Sequence, residues 1–505
     1  MSAQPAAAAP DGVIRSLVPA RVDRLPWSPF HTRMVIALGV AWVLDGLEIT
    51  VASAVAGKLS TPETLSMSST AVGAIATVYL IGEVIGALVF GRLSDRLGRR
   101  NLFMVTLGVY LVGSGLTAAT AGAGPGWVTF LYATRIVAGM GIGGEYAAIN
   151  SAIDELIPSR YRGRVDIAVN GTYWGGAIIG TLGSLLLLNV LPPSLGWRIG
   201  FLLGPALAVI ILVVRRNLPE SPRWQLMHGQ GEAAEQTITG IEREVEASGR
   251  SLPAVDESKE LAVRPTRQTS YLTLARVLFS RFWPRSALGA TLMITQSFLY
   301  NAIFFTYTLV LTKFYHVNAN DAPFYLIAFA VGNLAGPLTI GHFFDTIGRK
   351  QMIAGTYILS GGMLAVTAYL FNLGILTAAT QTIAWCVIFF FASAGASAAY
   401  LTVSEIFPLE IRAQAIAIFF AIAQCFGALG PIFYGHIIGT GNDPFKLFIG
   451  YLIGAGVMIT GGVVEIVLGI AAEGRALEDI ARPLSVVREA AEPVAGPRPA
   501  GETSS

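Results

Sequence analysis

Apolar residues run in long, nearly unbroken stretches along this chain, with short polar segments between them. A helix needs about 20 mostly apolar residues to cross a bilayer, and twelve stretches reach that length. Six lie near 33–56, 70–91, 101–121, 127–150, 167–190 and 198–216. A polar segment follows, and six more lie near 285–312, 323–343, 351–371, 378–402, 412–439 and 446–471. The pattern predicts an all-α integral membrane protein of twelve transmembrane helices in two six-helix bundles. Residues 1–32 form an N-terminal tail, 33–216 the first bundle, 217–284 a linker with short helices, 285–471 the second bundle and 472–505 a C-terminal tail.

Composition supports this and excludes the alternatives. Of the 505 residues, 53% are hydrophobic and 13% charged, whereas an ordinary soluble domain carries about 25% charged residues to wet its surface. Disorder, a coiled coil, a disulfide scaffold and a nucleic-acid binder are poorly served by such numbers. The formal net charge of +2 calls for no polyanionic partner. Cys386 and Cys425 both sit in apolar stretches, so neither a disulfide framework nor a zinc site is implied. The first residues are interrupted by Pro10, Asp11 and Arg15 and do not read as a secretory signal; a partly disordered cytoplasmic tail is expected.

Basic residues set the orientation. With the N-terminus cytoplasmic, the outer loops hold only Lys58, Lys313 and Lys446, while Arg135 lies within a span and Arg198 at the outer end of another. The remaining 29 of the 34 basic residues then face the cytoplasm, which supports an even number of spans and both termini inside. In the linker, Glu232, Glu235, Glu242 and Glu246 stand at helical spacings around Arg243, as on a solvated helix.

The two bundles repeat each other at a fixed offset of 250 residues. Gly91-Arg-Leu-Ser-Asp95-Arg96-Leu-Gly98-Arg99-Arg100 recurs as Gly341-His-Phe-Phe-Asp345-Thr-Ile-Gly348-Arg349-Lys350. Glu155-Leu-Ile-Pro158 with Arg162 recurs as Glu405-Ile-Phe-Pro408 with Arg412. The loop between spans two and three closely resembles the signature of the major facilitator superfamily. Pro219-Glu220-Ser221-Pro222-Arg223 after span six resembles a motif of its sugar-porter branch, as does Glu405-Ile-Phe-Pro408 with Arg412 after span ten. The likeness extends over about 33–471. It implies the major facilitator fold, two pseudo-symmetric halves around a midplane site. It also implies a cytoplasmic gate of Asp95, Arg96, Arg99, Glu155 and Arg162 with Asp345, Arg349, Glu405 and Arg412. In such proteins these ion pairs hold the outward-open state and part on inward opening. The alternative is that the basic residues merely anchor the loops inside.

Gly139, Gly141 and Gly144 make a formal G-x-G-x-x-G. No strand precedes it and it lies within a span, so dinucleotide binding is rejected and close helix packing is expected instead.

Charges at bilayer depth are costly and mark function. Span one carries Asp45 and Glu48, span two Glu83, span four Arg135 and Glu145, and span twelve Glu465. A buried carboxylate beside an arginine can exchange its pairing for a proton. The family resemblance assigns Glu48 as proton carrier, Arg135 as its partner and Asp45 as a second carboxylate. The competing reading is a structural ion pair. Glu83, Glu145 and Glu465 lean towards a structural role, since no partner is evident.

In span seven, Gln296 and Asn301 match two of three amides that sugar porters use for substrate; the third position is Thr295. Tyr400 stands where those proteins have a pocket tryptophan, and Ala177 where they have a hexose-binding glutamine. Asn170, Tyr173 and Trp174 in span five, and Phe304, Phe305 and Tyr307 in span seven, are candidates for an aromatic wall. The degraded hexose set argues against an ordinary sugar carrier, and Arg135 near a pocket suits a small organic or aromatic acid unless Glu48 uses it fully.

The chain is therefore expected to be no enzyme, since no metal-ligand cluster or nucleophile–base set appears, and to need no cofactor. Its expected partners are a small-molecule substrate, protons and the lipid bilayer, with no nucleic acid and a monomeric working state. The expected location is the plasma membrane, as a bacterial inner-membrane protein. The leading expectation is proton symport of a small polar metabolite. Two others stand beside it: a sugar transporter, coupled or not, and a substrate sensor that keeps the fold without transporting.

Overall fold

The computed structural model describes residues 14–482 apart from 60–63, 68, 123, 216–217, 264–270, 318–321, 409–410 and 439–442. Among the described residues, nine helices are long and apolar enough to cross a membrane. Span one is Pro29–Leu59. Spans two and three, Ala74–Ser94 and Arg96–Ala118, meet at Gly98, whose φ of 78° favours glycine. Span four is Pro125–Leu156 and span six Pro193–Arg215. Span five is broken at Thr172 into Ser159–Gly171 and Tyr173–Val190; there the Thr172 hydroxyl donates to the Val169 carbonyl of its own span and to Gly39 of span one. The second half runs through Trp283–Phe314, Ala322–Ile340, Arg349–Asn372 and Ala378–Glu405. A broken eleventh span, Arg412–Gly427 and Leu429–Ile438, and Pro444–Leu468 complete the twelve.

The 250-residue repeat goes deeper than its loop motifs. Gly86 of span two lies so close to span four that a Cβ would come within 2.1 Å of the Met140 carbonyl; Gly336 of span eight stands in the same way, 1.9 Å from Phe390 of span ten. Both members of each pair differ by the offset. The contacts between halves obey it too. A Cβ on Gly91 would meet Ala417 of span eleven at 2.5 Å, and one on Gly341 would meet Ile167 of span five at 3.1 Å. Span two thus lies on span eleven as span eight lies on span five. The glycines of 139–144 serve packing as expected: a Cβ on Gly139 or Gly143 would strike the Tyr79 or Glu83 backbone of span two, at 2.1 and 2.0 Å. Small residues let apolar helices approach where no water is expelled to drive them together.

At the end of the bundle that carries the linker, tail and linker pack against each other and one expectation is corrected; residues 1–13 of the tail lie outside the described residues. The segment from Ile14 is ordered: Ile14–Ser16 pairs antiparallel with Leu261–Val263, and the helix Val18–Asp23 buries Val18 and Val22. These apolar positions, spaced by four, give a tail of polar average one sticky face. Glu235 and Glu242 of the linker helix Gly231–Ala247 are not simply solvated, because both receive Arg21, and Glu242 also receives Arg24. Burial pushes the Glu242 carboxyl up, but the hydrogen bonds from Arg21 and Arg24 outweigh it and hold the group below the usual glutamate range.

Gly86→Ala and Gly336→Ala should each lower the melting temperature of the detergent-solubilised protein, at a cost of about 1–3 kcal/mol for overpacking. Gly355→Ala, whose added methyl meets open space, should leave it unchanged or slightly raised. Equal melting of all three variants would disprove the duplicated crossing.

Candidate functional site: a duplicated charge latch and a central cavity

The loop-motif residues come together at the linker end of the bundle. Arg99 donates to Glu155 at 2.8 Å, and to the Ser94 carbonyl and hydroxyl at 3.0 and 2.8 Å. Its counterpart Arg349 pairs with Glu405 and lies 3.4 Å from Asp345. Arg162 crosses to the other half, reaching Glu405 at 3.0 Å. Its counterpart Arg412 crosses the opposite way, to Asp154 at 4.0 Å, and Asp154 is also 3.9 Å from Arg162. Asp345 accepts the Arg164 backbone N–H at 2.8 Å, an approach open only because Gly163 has no side chain. Arg96 is exposed; the side chain of Asp95 lies outside the described residues.

Three parts of this latch were missed in the sequence. Asp154 takes the cross-half position expected of Glu155; the acidic doublet was the available signal. Arg223 binds the Asp154 carbonyl at 3.1 Å, Asp23 at 2.9 Å and Glu478 at 3.2 Å, tying span four to both tails. Glu220 accepts the backbone N–H groups of Arg99 and Arg100 at 2.8 and 3.3 Å, and so caps the start of span three just past Gly98. A carboxylate there completes the orphaned amides of a helix N-terminus and meets its positive end. Burial pushes the Glu220 carboxyl above its usual range, against the amides that hold it down. Glu473 stands at the same place in the second half, 3.4 Å from the Arg349 N–H.

Deeper in the first half, Glu48 and Arg135 form the predicted pair, fully buried between spans one and four. Tyr110 donates to Glu48 at 2.6 Å and Ser114 at 3.1 Å, both from span three. The guanidinium also lies over the rings of Tyr79 and Phe201, at 4.4 and 5.0 Å. Asp45, one turn earlier on span one, receives the hydroxyls of Tyr146 and, at 3.3 Å, Tyr79.

A cavity of about 120 Å³ opens between the two halves at this depth. Gln296, Asn301, Tyr400, Asn170, Trp174 and Asp45 all line it, with Tyr173 and Phe304. Trp174 packs on Tyr300 and Phe304, and Tyr400 on Trp42 and Tyr146. Asn170 is held at 3.0 Å from Asp166. Tyr307 turns away to Thr382 and the Tyr325 carbonyl, and the Phe305 side chain lies outside the described residues. Glu48 and Arg135 do not line the cavity, so the argument from Arg135 to an anionic cargo loses its footing: the guanidinium is spent on Glu48. Glu83 moves the other way. It faces the cavity and accepts the Gln424 amide of the second half at 2.7 Å. Its partner is 341 positions away, so no local pattern could show it. Glu465 is buried in span twelve, away from the cavity.

Twelve spans in two repeated halves around such a cavity define a membrane transporter of the major facilitator superfamily. The family model "Sugar (and other) transporter" matches residues 41–484, and the chain belongs to that family; it is a multi-pass membrane transporter, not an enzyme. A niacin transporter of Acinetobacter baylyi is 27% identical over 463 residues, covering 91% of this chain and 99% of the relative. A 4-hydroxybenzoate transporter of Pseudomonas putida is 25% identical over 450 residues, covering 88% and 94%. Among solved structures, the proton:xylose symporter of E. coli superposes with a TM-score of 0.72 at 20% identity, covering 89% of this chain and 98% of that one.

Removing one partner from a buried charge network costs about 3–5 kcal/mol, because the other is left unpaired. Glu405→Gln leaves Arg162 and Arg349 without their shared carboxylate, and the halves should part at the linker end. Spin labels at Arg100 and Lys350 should then show a longer distance population that the native chain lacks. An unchanged distribution would reduce the cluster to loop anchoring.

Proposed function

We propose that this protein is a proton-coupled carrier of a small aromatic metabolite, working as a monomer by alternating access in a bacterial plasma membrane, with both tails and the 217–284 linker in the cytoplasm. One arrangement carries the reading: span one holds Glu48 against Arg135 on its inner side and presents Asp45, one turn away, to an aromatic cavity between the halves. A proton reaching Glu48 would cancel its charge and release Arg135, so that its loading changes the packing of spans one, three and four around the cavity. The duplicated latch sets which face is open, and a few kcal/mol suffice to shift such an equilibrium.

The aromatic wall, and the relatives that carry niacin and 4-hydroxybenzoate, support an aromatic cargo. The sugar reading keeps Gln296 and Asn301, but Ala177 and Thr295 withhold two of the amides that it needs. The cytoplasmic placement rests on the basic residues, which gather at the linker end.

A thermal-shift screen of purified protein should show stabilisation by ring compounds (nicotinate, 4-hydroxybenzoate or benzylamine) and none by D-glucose or D-xylose; stabilisation by the sugars alone would overturn the aromatic cargo. In proteoliposomes, Glu48→Gln should reduce accumulation of the stabilising compound under an inward proton gradient to its equilibrium level while sparing exchange. Full accumulation by that variant would remove Glu48 from coupling, and flux by neither protein would favour a sensor.

A further inference from the structure

The cavity carries an imbalance of charge. Asp45 and Glu83 both line it, and among the described residues no lysine, arginine or histidine does. The nearby cation, Arg135, is engaged with Glu48 and sandwiched against Tyr79 and Phe201.

Glu83 is wholly buried from solvent. Its Oε2 accepts the Gln424 amide at 2.7 Å, whereas its Oε1 is buried with no hydrogen-bond partner. The Gln424 side chain is itself committed, since its Oε1 accepts the Ser297 hydroxyl at 3.0 Å, and Asn301 donates to Ser297 at 3.3 Å. This string of hydrogen bonds fixes the carboxylate from the second half, in the lining of the cavity, and leaves one of its oxygens without a donor among the described residues. A buried carboxylate oxygen without a donor is expensive. Tyr146, Trp42, Tyr400 and Trp174 supply ring faces around the same space, and ring faces attract cations when water is excluded.

We propose that Glu83 and Asp45 form a cation subsite in this cavity, receiving a positively charged nitrogen of the substrate, as an aromatic amine or a protonated nitrogen heterocycle would present, while its ring packs among the tyrosines and tryptophans. The proposal rests on the reading of the cavity as the substrate site. It is separate from the coupling role of Glu48, which is held on Arg135 and does not line the cavity. Glu83 contributes the unpartnered oxygen and Asp45 the second charge, and Gln424 registers the binding in the opposite half because it holds the same carboxylate.

Three probes of one shape and different charge test it by equilibrium binding to the full-length purified protein at pH 7: benzylamine, benzyl alcohol and benzoate. Benzylamine should bind about tenfold or more tighter than benzyl alcohol, and benzoate weakest. Glu83→Gln should weaken benzylamine about tenfold and leave benzyl alcohol within about twofold. Retained benzyl alcohol binding shows that the variant is folded, and Asp45→Asn, measured in the same way, should weaken benzylamine in the same direction. Benzoate binding as tightly as benzylamine, or benzylamine affinity untouched in both variants, would overturn the subsite while sparing an aromatic cavity. Failure of all three probes to bind would overturn the cavity reading and the subsite together.

Discussion

A charge placed in a bilayer must find its opposite, and this requirement shapes the protein more than any other. Glu48 and Arg135 are almost without exposure, so neither is tolerable alone. Their pairing dictates the neighbours. Tyr110 and Ser114 are set to saturate the carboxylate, and Tyr79 and Phe201 to cover the guanidinium. Span three must therefore lie close to span one at Gly204 of span six, where a Cβ would strike the Tyr110 hydroxyl at 1.8 Å. The small residues of spans two and four bring Tyr79 within reach in turn. Helix packing in this half is thus subordinate to satisfying one ion pair.

At the linker end the same rule acts on a larger set of charges, and duplication solves it twice. Each half pairs the arginine that opens its third helix with the glutamate that closes its fourth, Arg99 with Glu155 and Arg349 with Glu405. Each also sends one arginine across, Arg162 and Arg412. The approximate two-fold breaks where the sequence breaks it: Asp154 has Ser404 as its counterpart, so the second crossing lands on Asp154 and is longer. Pairs buried this deeply are not surface decorations worth a fraction of a kcal/mol. Breaking one of them strands its partner in a buried site.

Much of this was legible in the sequence, for physical reasons. Spans are readable because lipid demands long apolar runs, and Glu48 and Arg135 stand out because a charge inside such a run is rare. The repeat was readable from its loop motifs, and the same count would have predicted the Gly86–Met140 and Gly336–Phe390 crossings. What escaped was long-range partnership. Glu83 looked idle because Gln424 lies in the other half. Asp154 was hidden behind Glu155, and the linker helix was read as solvated because Arg21 and Arg24, which bind its glutamates, lie more than 200 positions away. Glu220 belonged to a recognised motif, but its task of capping span three appears only when Gly98 turns the chain beneath it.

The placement of Asp45 and Glu48 on one helix joins the cavity to the buried ion pair. The two carboxylates lie one turn apart on the first span, one on the cavity and one on Arg135, and Gly46 sits between them in sequence. A Cβ on Gly46 would come within 1.9 Å of the Tyr173 carbonyl in span five, so span one cannot rotate there without displacing the chain that carries Trp174 into the cavity. Any change in charge at Glu48 that loosens its hold on Arg135 must then be felt by the aromatic wall through a backbone contact rather than a flexible side chain. Asp45 and Glu83 line the cavity, while the guanidinium of Arg135 is held by Glu48. Two carboxylates on one buried cavity are costly unless each is given a partner. Span one carries one of them, Asp45, together with Glu48, and is therefore the element through which the cavity and the buried ion pair are mechanically joined.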